Sequence, residues 1–292
     1  MRDPCGDRNG ARRGRHARRH VDGAGGHCSP PGRHGDPRGL ARHQPRGGHD
    51  RRAAEPRGGP RRGQVLRHTH GITPRPGDPA ALVATSPHDW LADDPDEGTR
   101  GELAALIEAA ESGDAAAQAE LDDAFRGPLT FGTAGLRGRM GPGPHRMNRV
   151  TVSRAAAGIA AYLLARHAHP TAVIGFDARH RSHDFARDCA EILAGAGIKA
   201  LVLPRALPTP VLAYAVRALG ADAGLMVTAS HNPAQDNGLK VYLADGRQIV
   251  PPADAEIAAL IDAVGPVSGL PRSGDHLTLG DDIVERYVEQ AA

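Results

Sequence analysis

The sequence predicts an α/β protein: a three-layer α/β/α domain with a mixed sheet over residues 86–268, preceded by a disordered Arg/Gly/Pro-rich segment over 1–85. Two patterns predict the domain. From Thr151 onward, short apolar runs of strand length alternate with longer stretches of helical period, as expected of helices packed on a sheet. The runs at 172–177 and 223–227 read as buried strands. A third observation sets the preceding segment apart. Residues 1–75 hold 18 Arg, no Lys and 6 acidic side chains, and the remainder holds 18 basic and 28 acidic ones. The net charge of +2 is therefore the sum of two opposed parts. The basic part has almost no apolar periodicity and cannot bury enough surface to offset chain entropy.

The elements follow in order. Ordered structure is expected to start near Ser86-Pro87-His88-Asp89-Trp90. Leu103, Leu106, Ile107 and Ala110, then Ala117, Leu121 and Phe125, mark two short amphipathic helices over 101–126, broken at Ser112-Gly113-Asp114. A short extended piece from Leu129 runs into a glycine-rich loop at 132–138. A helix is predicted over 151–167 with Thr151 or Ser153 near its start, then a strand over 172–177. Ser182 is expected to cap a helix that ends at Gly195 and Gly197. The strand at 199–203 and the loop at 204–208 come next. Thr209-Pro210 reads as a cap followed by proline at the first helical position, opening a helix to about 219–220. After the strand at 223–227, Asn237-Gly238 reads as a turn and 239–243 as a strand. Asp245-Gly246 is a tight turn, 247–250 a return strand, and 252–264 a closing helix. Residues 269–292, helical over 281–289, read as a linker towards a second domain.

Two readings of the basic segment stay open. One is an arginine-rich arm for RNA or single-stranded DNA, although Phe, Tyr and Trp are all absent before Trp90. The other is a mis-assigned start or a wrong reading frame, because GC-rich DNA translated out of frame yields this mixture of Arg, Gly, Pro, His and Ala. No signal-peptide core and no membrane-spanning run is visible. Cys5, Cys28 and Cys189 show no CxxC spacing, and Cys189 falls in a predicted helix as a small buried hydrophobe. A reducing, cytoplasmic setting fits.

The chemistry concentrates at Thr228-Ala229-Ser230-His231-Asn232-Pro233. Asn232-Pro233 ends the preceding strand, because proline pushes the residue before it out of the helical region. Ser230 is then expected on a loop at the carboxyl end of a strand, where open α/β sheets bind ligands. Asn237-Gly238-Leu239-Lys240 brings an amine back to the same edge. A serine hydrolase is excluded on spacing, since no G-x-S-x-G elbow is present and an adjacent histidine is badly placed to act as its base. Gly132-Thr133-Ala134-Gly135-Leu136-Arg137-Gly138 offers backbone N–H groups and a guanidinium to an anion. His180 and His183 lack further ligands nearby and read as surface residues.

These motifs resemble those of the α-D-phosphohexomutase superfamily, the phosphoglucomutases and phosphomannomutases. Met140-Gly141-Pro142-Gly143, Arg146-Met147-Asn148 and Gln235-Asp236-Asn237-Gly238 resemble the phosphoglucomutase/phosphopentomutase branch most. The resemblance implies an isomerase of carbohydrate metabolism. Ser230 would be phosphorylated, donate its phosphoryl group to a sugar phosphate, and take back the other phosphate of a sugar 1,6-bisphosphate intermediate. Phosphate would move between O1 and O6 of a hexose, or O1 and O5 of a pentose. Lys240 and His231 would flank the reacting oxygens, and Arg137, Gly135, Thr133 and Lys240 would hold phosphate. A Mg²⁺ would bind through the phosphate on Ser230.

The resemblance covers only the first of the family's four domains. The Asp-x-Asp-x-Asp-Arg metal loop, the Gly-Glu-x-Ser sugar-reading segment and the Arg-Pro-Ser-Gly-Thr phosphate loop are not found. The expectation is a truncated chain with little activity alone, whose partners are a phosphosugar and the missing carboxyl-terminal mutase domains. The alternative is a nucleic-acid-associated protein acting through its basic arm, the weaker of the two.

Overall fold

The computed structural model describes residues 86–292; the expectations for the basic segment and for Cys5 and Cys28 lie outside the described residues. Helices α1 (Pro87–Asp93), α2 (Glu97–Glu111) and α3 (Ala115–Phe125) come first, each started by a short oxygen-bearing side chain. Ser86 and Asp89 form a reciprocal capping box, while Asp96 and Asp114 accept from the free N–H groups of the two following helices. The expected break at Ser112-Gly113-Asp114 is present, because Gly113 takes φ +92 and Asp114 caps α3. These helices close over a small core of Trp90, Leu103, Ile107, Leu121, Val150 and Val267, in which Trp90 meets Phe125 edge-on at 6.2 Å.

The rest is built on a six-stranded sheet. Its strands are β1 (Leu136–Arg139), β2 (Thr171–Phe176), β3 (Lys199–Val202), β4 (Ala223–Val227), β5 (Asp236–Leu243) and β6 (Leu277–Thr278), in the order β1-β5-β4-β2-β3-β6. β4, β2, β3 and β6 are parallel, and β5 runs antiparallel to both β4 and β1, so the sheet is mixed as expected. Alternation assigns the faces. Ala172, Ile174, Phe176, Leu225 and Val227 join the core under α4 (Arg149–Leu164), α5 (Ser182–Gly195) and α7 (Ala253–Asp262). Val173 and Met226 face the opposite core under α6 (Thr209–Ala218) and α8 (Asp282–Ala291), through Leu212, Val216 and Ile283. Both faces are covered, which gives the three layers. Residues 269–292, read as a linker, supply β6 on the sheet edge and the buried Ile283 of α8. No helix among the described residues is long and apolar enough to cross a membrane.

Several local expectations are corrected. Asn237-Gly238 is strand, not turn: Gly238 pairs with Arg137 on one side, and its carbonyl accepts from Thr228 on the other. A Cβ at 238 would lie 2.7 Å from the Leu136 carbonyl oxygen and 2.9 Å from that of Thr228, so glycine here serves close packing of three strands. Residues 247–250 make one isolated bridge, Tyr242 to Gln248, instead of a strand. α4 starts earlier than predicted because Asn148, not Thr151 or Ser153, caps it by accepting from the Thr151 N–H at 2.9 Å. Ser182 and Thr209 lie inside their helices, and no side chain caps either start. The Ser182 hydroxyl is instead spent on Asp177 at 2.7 Å. Cys189 is fully buried, and burial pushes its thiol pKa up.

The tight contact between the strand β1 entry and β5 yields a stability test. Gly135 has φ +74, and a Cβ there would overlap the Leu239 carbonyl oxygen. Gly135→Ala is expected to destabilise by about 3 kcal/mol through strain and overpacking. Gly101, in α2 with no atom near its would-be Cβ, is the contrast: Gly101→Ala is expected to stabilise by about 0.5–1 kcal/mol. Thermal unfolding of both variants checks the opposite signs.

Candidate active site

The crossovers of the sheet change side at its centre. β2 leads through α5 to β3 on one side, and α6 then carries the chain back across to β4 on the other. The adjacent carboxyl ends of β2 and β4 therefore form the switch point at which open α/β sheets bind ligands. Asp177 leaves β2 there, and Thr228 to Asn232 leave β4. β5 starts from the same edge, because it runs antiparallel to β4.

Ser230 is exposed at the tip and adopts φ +54, in the left-handed region that non-glycine residues seldom enter. Its N–H donates to the Thr228 hydroxyl at 2.9 Å, and the Asn232 N–H closes the turn on the Ala229 carbonyl at 3.0 Å. Lys240, opposite Met226 in the β4–β5 register, extends its amine to donate to the Ser230 hydroxyl at 2.7 Å. Burial first, and then the positive charge of Arg137, lower the Lys240 pKa from the ordinary lysine value; Asp177 acts in the opposite direction. Arg137 lies on β1, exposed, and donates to Asn232 Oδ1 at 3.1 Å. The Asn232 amide in turn donates to Asp236 at 3.0 Å. A hydroxyl, a desolvated amine and a guanidinium thus converge through hydrogen bonds on one loop.

The other expected site residues lie outside that bonded set. His231 is exposed beside Ser230 and makes no hydrogen bond among the described residues. Gly135 is buried against β5, and Thr133 is exposed on the turn before it, its carbonyl accepting from the Gln248 side chain at 2.6 Å. His180 and His183 are exposed, and His183 packs edge-on against Phe176 at 5.3 Å.

Two residues were missed. Arg179 donates to the carbonyls of Ser230, Asn232, Pro233 and Asp236 at 2.7–3.1 Å. Asp177 accepts from the Arg179 N–H at 3.0 Å and from Ser182, and its other oxygen lies 3.5 Å from Arg179 Nε. The available signal was positional: Asp177-Ala178-Arg179 leaves a buried strand at the edge that also carries Ser230. Asn237 is fully buried behind the loop, its amide donating to the His180 carbonyl and to Ser182, both at 3.0 Å.

A magnesium ion asks for six oxygen ligands in near-octahedral array. Among the described residues no group of three or more His, Cys, Asp or Glu could hold a metal ion. Asp177 is engaged by Arg179 and Ser182, and Asp236 by Asn232. These residues do not fit Mg²⁺ by themselves.

The family described as "Phosphoglucomutase/phosphomannomutase, alpha/beta/alpha domain I" matches residues 128–266. A Haemophilus influenzae protein named "Probable phosphomannomutase" is 56% identical over 151 residues, covering 50% of this chain and 31% of its own length. A phosphoglucomutase of Staphylococcus epidermidis is 47% identical over 146 residues, 50% of this chain and 27% of its own length. A Schizosaccharomyces pombe protein named "Probable phosphoribomutase" is 42% identical over 179 residues, 60% of this chain and 29% of its own. The chain therefore spans under a third of the length of these relatives.

Lys199 and Lys240 are the only lysines in the sequence, so lysine-labelled protein gives a simple NMR titration. Lys240 is expected to lose its proton below the ordinary lysine range. Arg137→Gln, which removes one cause and leaves burial in place, is expected to move the midpoint part of the way back up. The same shift predicts a stability slope. A lysine whose folded pKa lies below its unfolded one costs stability while protonated, and that cost fades as pH rises through the folded value. Lys240→Met is expected to remove this slope from the pH dependence of unfolding.

Proposed function

We propose that this chain, whose residues 128–266 belong to the first domain of the α-D-phosphohexomutase superfamily, carries the phosphoryl-accepting serine of a phosphosugar mutase. The observation that carries this reading is the 2.7 Å contact of the Lys240 amine with the Ser230 hydroxyl at the carboxyl end of β4. Phosphoryl transfer is catalysed by positioning and charge stabilisation more than by covalent assistance, and a hydroxyl held by an amine, with a guanidinium bonded to the same loop, supplies both.

The Ser230 oxygen attacks a phosphorus of a sugar bisphosphate. A serine oxygen–phosphorus bond forms, the sugar oxygen–phosphorus bond breaks, and the hydroxyl proton leaves as the sugar oxygen gains one. The phosphorylated Ser230 then gives its phosphoryl group to the free hydroxyl of a sugar monophosphate, whose proton passes to the serine oxygen, and Ser230 takes the phosphate on the opposite oxygen of the bisphosphate so formed; the net result moves phosphate between O1 and O6 of a hexose, or O1 and O5 of a pentose. Relatives named for mannose, glucose and ribose phosphates support the substrate class without choosing within it. Burial and the Arg137 charge lower the Lys240 pKa from the ordinary lysine value, the direction that eases proton exchange with the reacting oxygens. Among the described residues Arg137 makes one side-chain bond, to Asn232, so its further donors can receive a phosphate. His231 flanks the hydroxyl as a donor, and Thr133 and Gly135 support the phosphate side of the site. Mg²⁺ is the cofactor of this reading, and its ligands besides the phosphate on Ser230 come from outside residues 86–292. The sugar contacts come from there too. Residues 86–268 act as the serine-bearing domain, which 269–292 complete through β6 and Ile283 of α8.

Incubation with glucose 1,6-bisphosphate and Mg²⁺, followed by peptide mass mapping, tests this. One phosphate is expected on Ser230 and none in Ser230→Ala, with Lys240→Met slowing its appearance by about 100-fold or more. A coupled assay on glucose 1-phosphate is expected to show little turnover by this chain alone. Phosphate on another residue, or none on Ser230, contradicts the reading.

A further inference from the structure

We infer that Arg179 is the positioning residue of the serine loop: its guanidinium gathers the loop carbonyls and thereby fixes the left-handed backbone that presents the Ser230 hydroxyl to Lys240. The inference rests on the reading of Ser230 as phosphoryl acceptor for its chemical consequence, and on geometry alone for the clamp.

Every donor of the side chain is accounted for. Nη1 donates to the carbonyls of Pro233 at 2.7 Å and Asp236 at 3.1 Å, and Nη2 to those of Ser230 at 2.8 Å and Asn232 at 2.7 Å. Nε faces Asp177 at 3.5 Å. A guanidinium has five N–H groups in a rigid plane, and all five are directed within the protein. Arg179 therefore has no donor left for a substrate phosphate, unlike Arg137, whose one bond is to Asn232. The side chain is only 16% exposed, and Asp177 beneath it is 22% exposed. Partial burial strengthens these bonds, and without them each carbonyl would pair with water at the solvent edge.

Four carbonyls drawn to one point reverse the usual chain geometry. Ser230 takes φ +54, a conformation that costs free energy for any residue with a Cβ and persists only where surroundings impose it. In a trans peptide the C=O and N–H point opposite ways. Holding the Ser230 carbonyl inward therefore turns the His231 N–H away from Arg179. Lysine could not replace this function, because an ammonium offers three donors around a point and cannot span four carbonyls.

Hydrogen exchange and phosphate incorporation together test the proposal on the full chain, with Arg179→Lys and Arg179→Ala. Amides over 229–237 are expected to exchange about tenfold faster or more in both variants, while those of β2 and β4 keep their protection. The rate of phosphate transfer from glucose 1,6-bisphosphate to Ser230 is expected to fall by about 100-fold at a nearly unchanged melting temperature. Guanidinium ion, and not ammonium, is expected to restore part of that rate in Arg179→Ala. Unchanged exchange over 229–237 overturns the proposal, as does equal loss of protection across β2 and β4, which marks general destabilisation. Unchanged phosphate transfer alongside a loosened loop overturns it as well. If the unaltered chain takes no phosphate, the functional reading fails, and the exchange result still decides whether Arg179 clamps the loop.

Discussion

A chain that leaves the end of one buried strand and returns at once as its antiparallel neighbour must turn several carbonyls towards a single point. Between β4 and β5 that point is occupied by the Arg179 guanidinium, which donates hydrogen bonds to four of them. Much else at the site follows from this convergence. Ser230 stands out in the left-handed conformation, Thr228 turns its hydroxyl to the Ser230 N–H, and β5 returns in the register that sets Lys240 opposite Met226. Removing the guanidinium would hand four converging acceptors to water at the solvent edge and leave the loop without a common anchor.

The clamp is itself held by the sheet. Asp177 ties Arg179 to the end of β2, and its N–H donates to the Val227 carbonyl at the end of β4. Asn237 reaches from β5 to the His180 carbonyl and to Ser182 at the start of α5. Elsewhere the scaffold uses the same device of buried charge with full pairing. Asp188, wholly inaccessible, accepts from Arg149 at 2.6 and 2.7 Å and from Arg272 at 2.8 Å, which fastens the segment after α7 to α4 and α5. Arg146, 4% exposed, binds Glu120 and Asp123 and ties α3 to the chain leading into α4. Such pairs are weak evidence for net stability, but breaking one partner strands the other, so they fix geometry.

The layers, the mixed sheet and the place of Ser230 at a strand end were legible in the sequence because they depend on apolar period and on proline. Apolar runs at β2 and β4 could bury only as central strands, and Asn232-Pro233 could not continue one. Asn237-Gly238 misled because its dipeptide signal is that of a turn. Here glycine answers to three strands packed too closely for a Cβ, a tertiary demand that no local pattern reveals. The helix starts at Ser182 and Thr209 misled for a related reason: Ser182 had a tertiary partner in Asp177 that outweighed capping. Arg179 was invisible as a functional residue, since a surface-type arginine two residues past a strand has no distinctive spacing. Only the fold brings its plane beneath the serine loop. Lys240 was found in sequence, but the cause of its lowered pKa, burial together with Arg137 on the neighbouring antiparallel strand, required the β1–β5 pairing.

The proposed function has the loop between β4 and β5, fixed from below by Arg179, hold a phosphoryl group at Ser230 with Lys240 and Arg137 as its donors. A crystal structure of the chain with vanadate, which mimics a phosphoryl group in transfer, tests this most directly. The account predicts vanadium bonded to Ser230 Oγ, with Lys240 Nζ within hydrogen-bond reach of its oxygens at about 3 Å and Arg179 still on the loop carbonyls. Vanadate bound away from Ser230, or held by Arg179 with the loop released, would contradict it.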